Sequence, residues 1–326
     1  VSQFEKRTTE LKKLVNQQLA GMLTKKLPIT LYDPMRYVLQ GGGKRLRPLL
    51  VLLACEAVGG KVESCLPAAL AVEFLHNFTL IHDDVMDQDD IRRGRLTVHK
   101  KWDVSIAILS GDGLVALSYR VLLSKSHPRI AEIGTLFSNT LLEICEGQAL
   151  DKEFETRKEV AVNEYFVMIQ KKTAALMALC AQIGGILGNG TDAETEALRS
   201  FGFHLGVAFQ LQDDLLDIVA DEKLLGKTWG SDIMRRKKTF LLIHALQQGD
   251  ATTKSQLQAI LQKEVIAQSQ VEEVKKLFQV AGTIEATQQH INRHFDLARQ
   301  YLHRLPSSQG RQFLDRFLDS LVKRQY

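Results

Sequence analysis

Two five-residue stretches, DDVMD at 83–87 and DDLLD at 213–217, set carboxylates at their first, second and fifth positions. On a helix, positions i and i+4 share a face, so Asp83 with Asp87, and Asp213 with Asp217, point the same way. Each pair repels itself, and a place near a helix C-terminus adds the negative end of the dipole. A divalent cation relieves both. Oxygen donors without His or Cys partners suit a hard ion, and Mg2+ in particular binds through one or two carboxylates while sharing its shell with water and phosphate. Neither stretch has the alternating acids, central glycine and terminal glutamate of a calcium-binding EF-hand. One such stretch alone can simply solvate a helix end; a second copy behind a second apolar run weakens that reading.

Basic residues supply the complementary half. GGGKRLRP at 41–48 carries Lys44, Arg45 and Arg47 where a glycine loop enters a helix, a place whose free N–H groups favour anions. It is not a P-loop, because the Gly-x-x-x-x-Gly-Lys-Ser/Thr spacing and a preceding strand are both missing. Arg92 and Arg93 follow the first acidic stretch, Lys171, Lys172 and Thr173 open a later helical run, and Lys227, Lys237 and Lys238 follow the second stretch. Any one of these alone reads as a solvated surface residue. Together with the carboxylates they describe a pocket for two diphosphates, one bound through Mg2+ and the other gripped by Lys and Arg.

The elements that must hold these groups are helices. Apolar residues recur at three and four spacing near 49–58, 66–86, 104–123, 130–153, 161–187, 194–219, 239–248 and 284–302. Pro28, Pro34, Pro67, Pro128 and Pro306 read as falling between these runs, with Pro48 in the first turn of one. Breaks are expected at 59–65, 188–193, 221–236 and 249–253. With 326 residues, 45% of them hydrophobic and no low-complexity linker, the chain reads as one all-α domain over 1–326 with ten or more helices.

Net charge is +4, with Lys and Arg interleaved with acids, which favours small anionic ligands over nucleic acid. No uninterrupted apolar run approaches about 18 residues, so no transmembrane segment is expected. Cys55, Cys65, Cys145 and Cys180 lack metal-type spacing and read as buried, reduced thiols, which places the chain in the cytoplasm.

As a set, GGGKRLRP, EFLHNFTLIHDDVMDQDDIRRG, CEGQALD, KKTAAL, FQLQDDLLD and GKTWGSD resemble the trans-isoprenyl diphosphate synthases, the polyprenyl synthetase family, from residue 41 to residue 241. The resemblance implies a single helical bundle of the isoprenoid synthase type around a deep central cavity, usually a homodimer. It implies Mg2+ as cofactor, three ions per site once substrate is bound. Asp83, Asp87, Asp213 and Asp217 would be the metal ligands, with Asp84 and Asp214 as supporting carboxylates. Lys44, Arg47, His76 and Arg93 would bind isopentenyl diphosphate. Arg92, Lys172, Thr173, Gln210, Lys227 and Lys237 would serve the allylic substrate. The implied catalytic set is Asp83, Asp84, Asp87, Arg92, Lys172, Asp213, Asp214 and Lys227, and residues 221–238 would form a mobile cover.

The implied chemistry is ionisation of an allylic diphosphate (dimethylallyl, geranyl or farnesyl), attack by the isopentenyl double bond, and proton loss. Product length is expected to be set along the helix of the first aspartate stretch. Phe78 stands five residues before Asp83, about 7.5 Å back at the helical rise, and Phe74 lies one turn deeper. An aromatic there resembles the geranylgeranyl diphosphate synthases, with farnesyl diphosphate or a longer polyprenyl chain as alternatives. A terpene cyclase would have no use for Lys44, Arg47 and Arg93. A non-catalytic regulatory subunit of such a synthase would often lack one aspartate stretch.

Overall fold

The computed structural model describes residues 2–219 and 229–323, and among them the chain is helical almost throughout. The helices are α1 (Gln3–Met22), α2 (Ile29–Gln40), α3 (Leu46–Ala57), α4 (Val62–Met86), α5 (Val98–Lys101), α6 (Val104–Leu122), α7 (Ile130–Thr156), α8 (Val162–Ile169), α9 (Ala175–Leu187), α10 (Asp192–Val219), α11 (Ser231–Met234), α12 (Phe240–Gln248), α13 (Ala251–Leu261), α14 (Gln268–Val280), α15 (Thr283–Leu302) and α16 (Gln309–Val322). A π-helical turn, Gln170–Ala174, joins α8 to α9. The one strand pair among the described residues is the antiparallel hairpin β1 (Ile91–Arg92) and β2 (Arg95–Leu96).

By its internal packing the chain divides into two compact units. One is built from Val1–Ser138, Leu179–Arg199 and Leu302–Phe317, the other from Asn139–Ala178, Ser200–Tyr301 and Leu318–Tyr326.

In the first unit, α3 is so apolar that Leu50 through Cys55 are all fully buried, and it packs on α4, which in turn packs on α6. Two prolines sit inside helices rather than between them: Pro34 in α2 and Pro67 in α4. Each stands at the sixth helical residue and withholds one N–H from the carbonyl four residues earlier. For Pro67 that carbonyl belongs to Glu63, and Lys125 Nζ donates to it at 3.0 Å. The helix therefore continues without an unsatisfied oxygen.

The second unit has an aromatic core of Tyr165, Phe201, Phe240, Phe278 and Phe295. Four histidines line one side of it. His204 Nδ1 and His294 Nδ1 are 3.0 Å apart, so one ring donates to the other; His290 packs on Phe166 and Phe240, and His244 bonds the Thr283 hydroxyl. Burial, with His204, His290 and Arg293 nearby, drops His294 to about 4.

Three helical stretches, Val62–Met86, Val104–Leu122 and Val162–Leu187, are long and apolar enough by length and composition to cross a membrane. In the first and third most of the apolar window is buried inside the protein; in α6 only 39% is. Val104, Ile108 and Leu109 of α6 stay 49%, 43% and 55% exposed. Of the four cysteines, Cys55, Cys65 and Cys180 are buried free thiols, whereas Cys145 is exposed on α7, contrary to the sequence expectation. A mid-helix cysteine beside two glutamates carried no signal of which face it would take.

Candidate active site

In the first unit the acidic and basic groups converge from three parts of the sequence. α2 ends at Gly41, and Gly42 (φ +74°) and Gly43 (φ +129°) turn the chain through backbone angles that side chains resist. Arg93, itself in the left-handed region, lays its guanidinium over Gly43, so that a Cβ there would sit 3.0–3.1 Å from it. Its Nη1 donates to the Gly42 carbonyl at 2.5 Å. Lys44 follows on the exposed side of the loop.

Arg47, on the first turn of α3, has its Nη1 3.1 Å from His76 Nε2 on α4. The half-buried imidazole stands among Arg47, Arg93, Arg92 and Arg45, and loss of solvent followed by those charges pulls its pKa well below the ordinary histidine value. His76 is therefore neutral, and its Nε2 accepts from Arg47. Arg45 differs from its neighbours: it is buried, paired with Glu73, and also bonded to Asn16 and the Leu39 carbonyl. Removing one partner of such a pair costs about 3–5 kcal/mol, so Arg45 braces the loop rather than facing an incoming anion.

Asp83 and Asp87 occupy the last turn of α4, both half-buried, with the Asp87 N–H bonded to the Asp83 carbonyl at 2.8 Å. The buried Asp84 receives Nε–H of Arg92 from the hairpin, and burial still pushes its carboxyl up to about 6 against that pull. Phe78 is half-buried and meets the His82 ring edge-on at 4.7 Å; Phe74, one turn deeper, is fully buried.

In the second unit the groups are tied to one another. Gly147 of CEGQALD packs so closely that a Cβ would stand 2.3 Å from the Lys172 nitrogen. That approach brings Asp151 to Lys172 (2.6 Å) and Glu146 to Lys171 (2.5 Å). Lys172 and Thr173 lie in the π-helical turn, a local widening common at functional sites. The Thr173 hydroxyl donates to Gln210 Oε1 at 2.8 Å, Gln210 Nε2 to Asp214 Oδ1 at 2.8 Å, and the buried Tyr165 hydroxyl to Asp214 Oδ2 at 2.6 Å. Burial, with Asp232 nearby, raises the Asp214 carboxyl.

Asp213 is half-buried, but Asp217 is fully buried. Its oxygens accept from Ser231 Oγ and from the Asp232 N–H, each at 3.0 Å, at the start of α11. Lys237 Nζ stands 3.7 Å from Asp232. Lys227, and the part of the expected cover at 221–228, lie outside the described residues.

Among the described residues no three His, Cys, Asp or Glu side chains gather into a metal cage. One-turn carboxylate pairs beside cationic groups instead form a donor set that fits Mg2+ completed by phosphate oxygens. Sequence reasoning missed Tyr165, which acts by hydrogen bonding across a long sequence separation. It noticed Glu73, Asp151, Ser231 and Asp232 only as parts of motifs.

An all-α fold with two aspartate-rich helix ends, each accompanied by cationic side chains, defines an isoprenoid synthase. The polyprenyl synthetase family profile matches residues 28–280. Over 229 residues the chain is 49% identical to a geranylgeranyl diphosphate synthase of Methanosarcina mazei, covering 68% of this chain and 71% of that one. It is 36% identical to a geranylgeranyl pyrophosphate synthase of Geoglobus acetivorans, covering 96% and 97%. The crystal structure of geranylgeranyl pyrophosphate synthetase from Pyrococcus horikoshii superposes with a TM-score of 0.93 at 36% identity, covering 99% of this chain and all of that one. The chain belongs to the polyprenyl synthetase family and is a trans-isoprenyl diphosphate synthase.

Proposed function

We propose that this enzyme condenses isopentenyl diphosphate with dimethylallyl, geranyl or farnesyl diphosphate, and that its main product is geranylgeranyl diphosphate. Lys44, Arg47 and Arg93 grip the isopentenyl diphosphate directly, with neutral His76 orienting Arg47. The observation that carries this assignment is the convergence of Arg93 on the glycine loop that presents Lys44 and Arg47. Guanidinium groups match diphosphate oxygens in pairs.

Asp83, Asp87, Asp213 and Asp217 are assigned to Mg2+, three ions with substrate bound, and Asp84 and Asp214 support them. Bound Mg2+ would neutralise the departing allylic diphosphate. Arg92, Lys172, Lys227 and Lys237 add positive charge for the same leaving group. Thr173 and Gln210 turn oxygen atoms toward the allylic carbons as positive charge develops there, and water must be excluded until the isopentenyl double bond attacks. Phe78, backed by Phe74, closes the path of the growing chain at twenty carbons.

The whole chain would work as one isoprenoid synthase domain, a reading supported by a family match that takes in residues of both units. A cytoplasmic homodimer is part of the same proposal. Its support is the apolar face of α6, whose exposed Val104, Ile108 and Leu109 suit a symmetric contact.

The test is product analysis after incubation with isopentenyl diphosphate and each primer, with Mg2+ and with chelator. A dominant twenty-carbon diphosphate, formed only with Mg2+, is expected. A fifteen-carbon product, or one of thirty carbons and more, would retain the reaction and overturn the length assignment. No elongation from any primer would overturn the activity.

A further inference from the structure

Tyr165 sits seven residues before Lys172 and has no place in the roles above, yet its hydroxyl is buried at the head of a hydrogen-bond chain. The chain runs Tyr165 to Asp214, Gln210 to Asp214, and Thr173 to Gln210, over 2.6, 2.8 and 2.8 Å. With Asp214 ionised, both of its oxygens accept, so the end of the Gln210 amide that faces Oδ1 is the NH2 and the end that faces Thr173 is the carbonyl.

An amide turned over would leave the NH2 beside Thr173 and set its carbonyl against a carboxylate. Everything therefore depends on Asp214 keeping Oδ1 toward Gln210, and the Tyr165 hydroxyl holds the other oxygen. The phenol itself stays protonated, because burial, followed by the Asp214 charge, pushes it well above the usual tyrosine value. Its ring is held by Phe166 and Phe240 at 5.7 and 6.3 Å between centroids, so the hydroxyl has a fixed origin.

We propose that Tyr165 is a positioning residue for the allylic step: by clamping Asp214 it fixes the Gln210 amide so that a carbonyl oxygen, beside the Thr173 oxygen, faces the developing allylic cation. The inference rests on the prenyl-transfer reading above. It adds a residue that touches neither substrate nor metal and acts through two others.

Tyr165→Phe removes only the hydroxyl and keeps the ring contacts. The expected result is a kcat lower by about tenfold, the lower end of what outer-shell partners carry, with the KM for isopentenyl diphosphate unchanged. A double-mutant cycle separates this role from a merely structural one. In a Gln210→Leu background, Tyr165→Phe should cost nothing further, because the group it orients is gone. 4-Aminophenylalanine at position 165, which keeps a donor, should restore most of the rate; if Tyr165→Phe fails to fold, this variant and Gln210→Leu still carry the test through their kcat values.

Wild-type elongation beside an equally fast Tyr165→Phe enzyme overturns the inference alone. So does a tenfold loss that repeats in the Gln210→Leu background, or an amino variant as slow as the Phe variant. A wild-type protein that elongates no primer overturns the functional reading itself.

Discussion

DDVMD and DDLLD differ in two letters, yet the structure gives them different surroundings. In the first, the buried Asp84 is matched by a cation, Arg92, and Asp83 and Asp87 remain half-buried on the last turn of α4. In the second, the buried Asp214 is matched by neutral donors, Tyr165 and Gln210, and Asp217 is enclosed at the start of α11. The same spacing of carboxylates thus serves two purposes. The first stretch presents charge beside an arginine-rich loop, whereas the second is also a structural joint between α10, α11 and the π-helical turn.

That contrast can be broken first at the shared positions. Asp83→Asn and Asp213→Asn are each expected to lower kcat/KM for the allylic substrate by about 10³-fold, the scale of losing a principal transition-state electrostatic contact, with melting temperatures close to wild type. If either variant keeps near-normal turnover, its carboxylate is not a metal ligand. The fifth positions should part company in stability. Asp217→Ala strands the Ser231 hydroxyl and the Asp232 N–H, for an expected loss of about 1–3 kcal/mol in denaturant unfolding. Asp87→Ala, at a half-buried helix end, is expected within about 0.5 kcal/mol of wild type. Equal losses at the two positions would erase the distinction.

Much of this was legible in sequence. The apolar periodicity located α3, α4, α6, α7, α10, α12 and α15 to within a few residues, since each buries a broad stripe. α1, α2, α13, α14 and α16 were not recognised; α1 buries little more than Leu11, Val15 and Leu19 among charged residues, whereas α16 carries a clear stripe of Leu314, Phe317, Leu318 and Leu321 that the reading passed over. The π-helical turn was invisible for a different reason. It packs against Gly147, more than twenty residues away, and no local pattern encodes such a contact. Likewise, Arg45 and Arg47 look alike in GGGKRLRP, and only the burial of Glu73 separates a brace from a ligand.

The remaining predictions are smaller in effect. Phe78→Ala should shift products beyond twenty carbons, as the half-buried ring beside His82 is removed; an unchanged length distribution would take Phe78 out of that role. The histidine group of the second unit should make stability sensitive to acid. His294, held near 4 in the folded protein against about 6.5 when unfolded, resists protonation that the unfolded chain accepts. Its contribution is present above pH 6.5 and is lost as pH falls toward 4, with His290 and His244 shifted in the same direction by burial. The melting temperature is expected to fall between pH 7 and pH 5, and to fall less in His294→Phe. An identical pH dependence in both proteins would contradict this account.

The most direct measurement of the central claim, that one diphosphate is held by cationic side chains and the other through carboxylate-bound Mg2+, is calorimetric titration of each substrate alone. Isopentenyl diphosphate and a non-ionising geranyl thiolodiphosphate would be titrated with and without Mg2+. The account predicts that isopentenyl diphosphate binds in both conditions, weakened by Arg93→Ala, while the allylic analogue binds only with Mg2+ and not to Asp83→Asn. Equal Mg2+ dependence of the two ligands would contradict it.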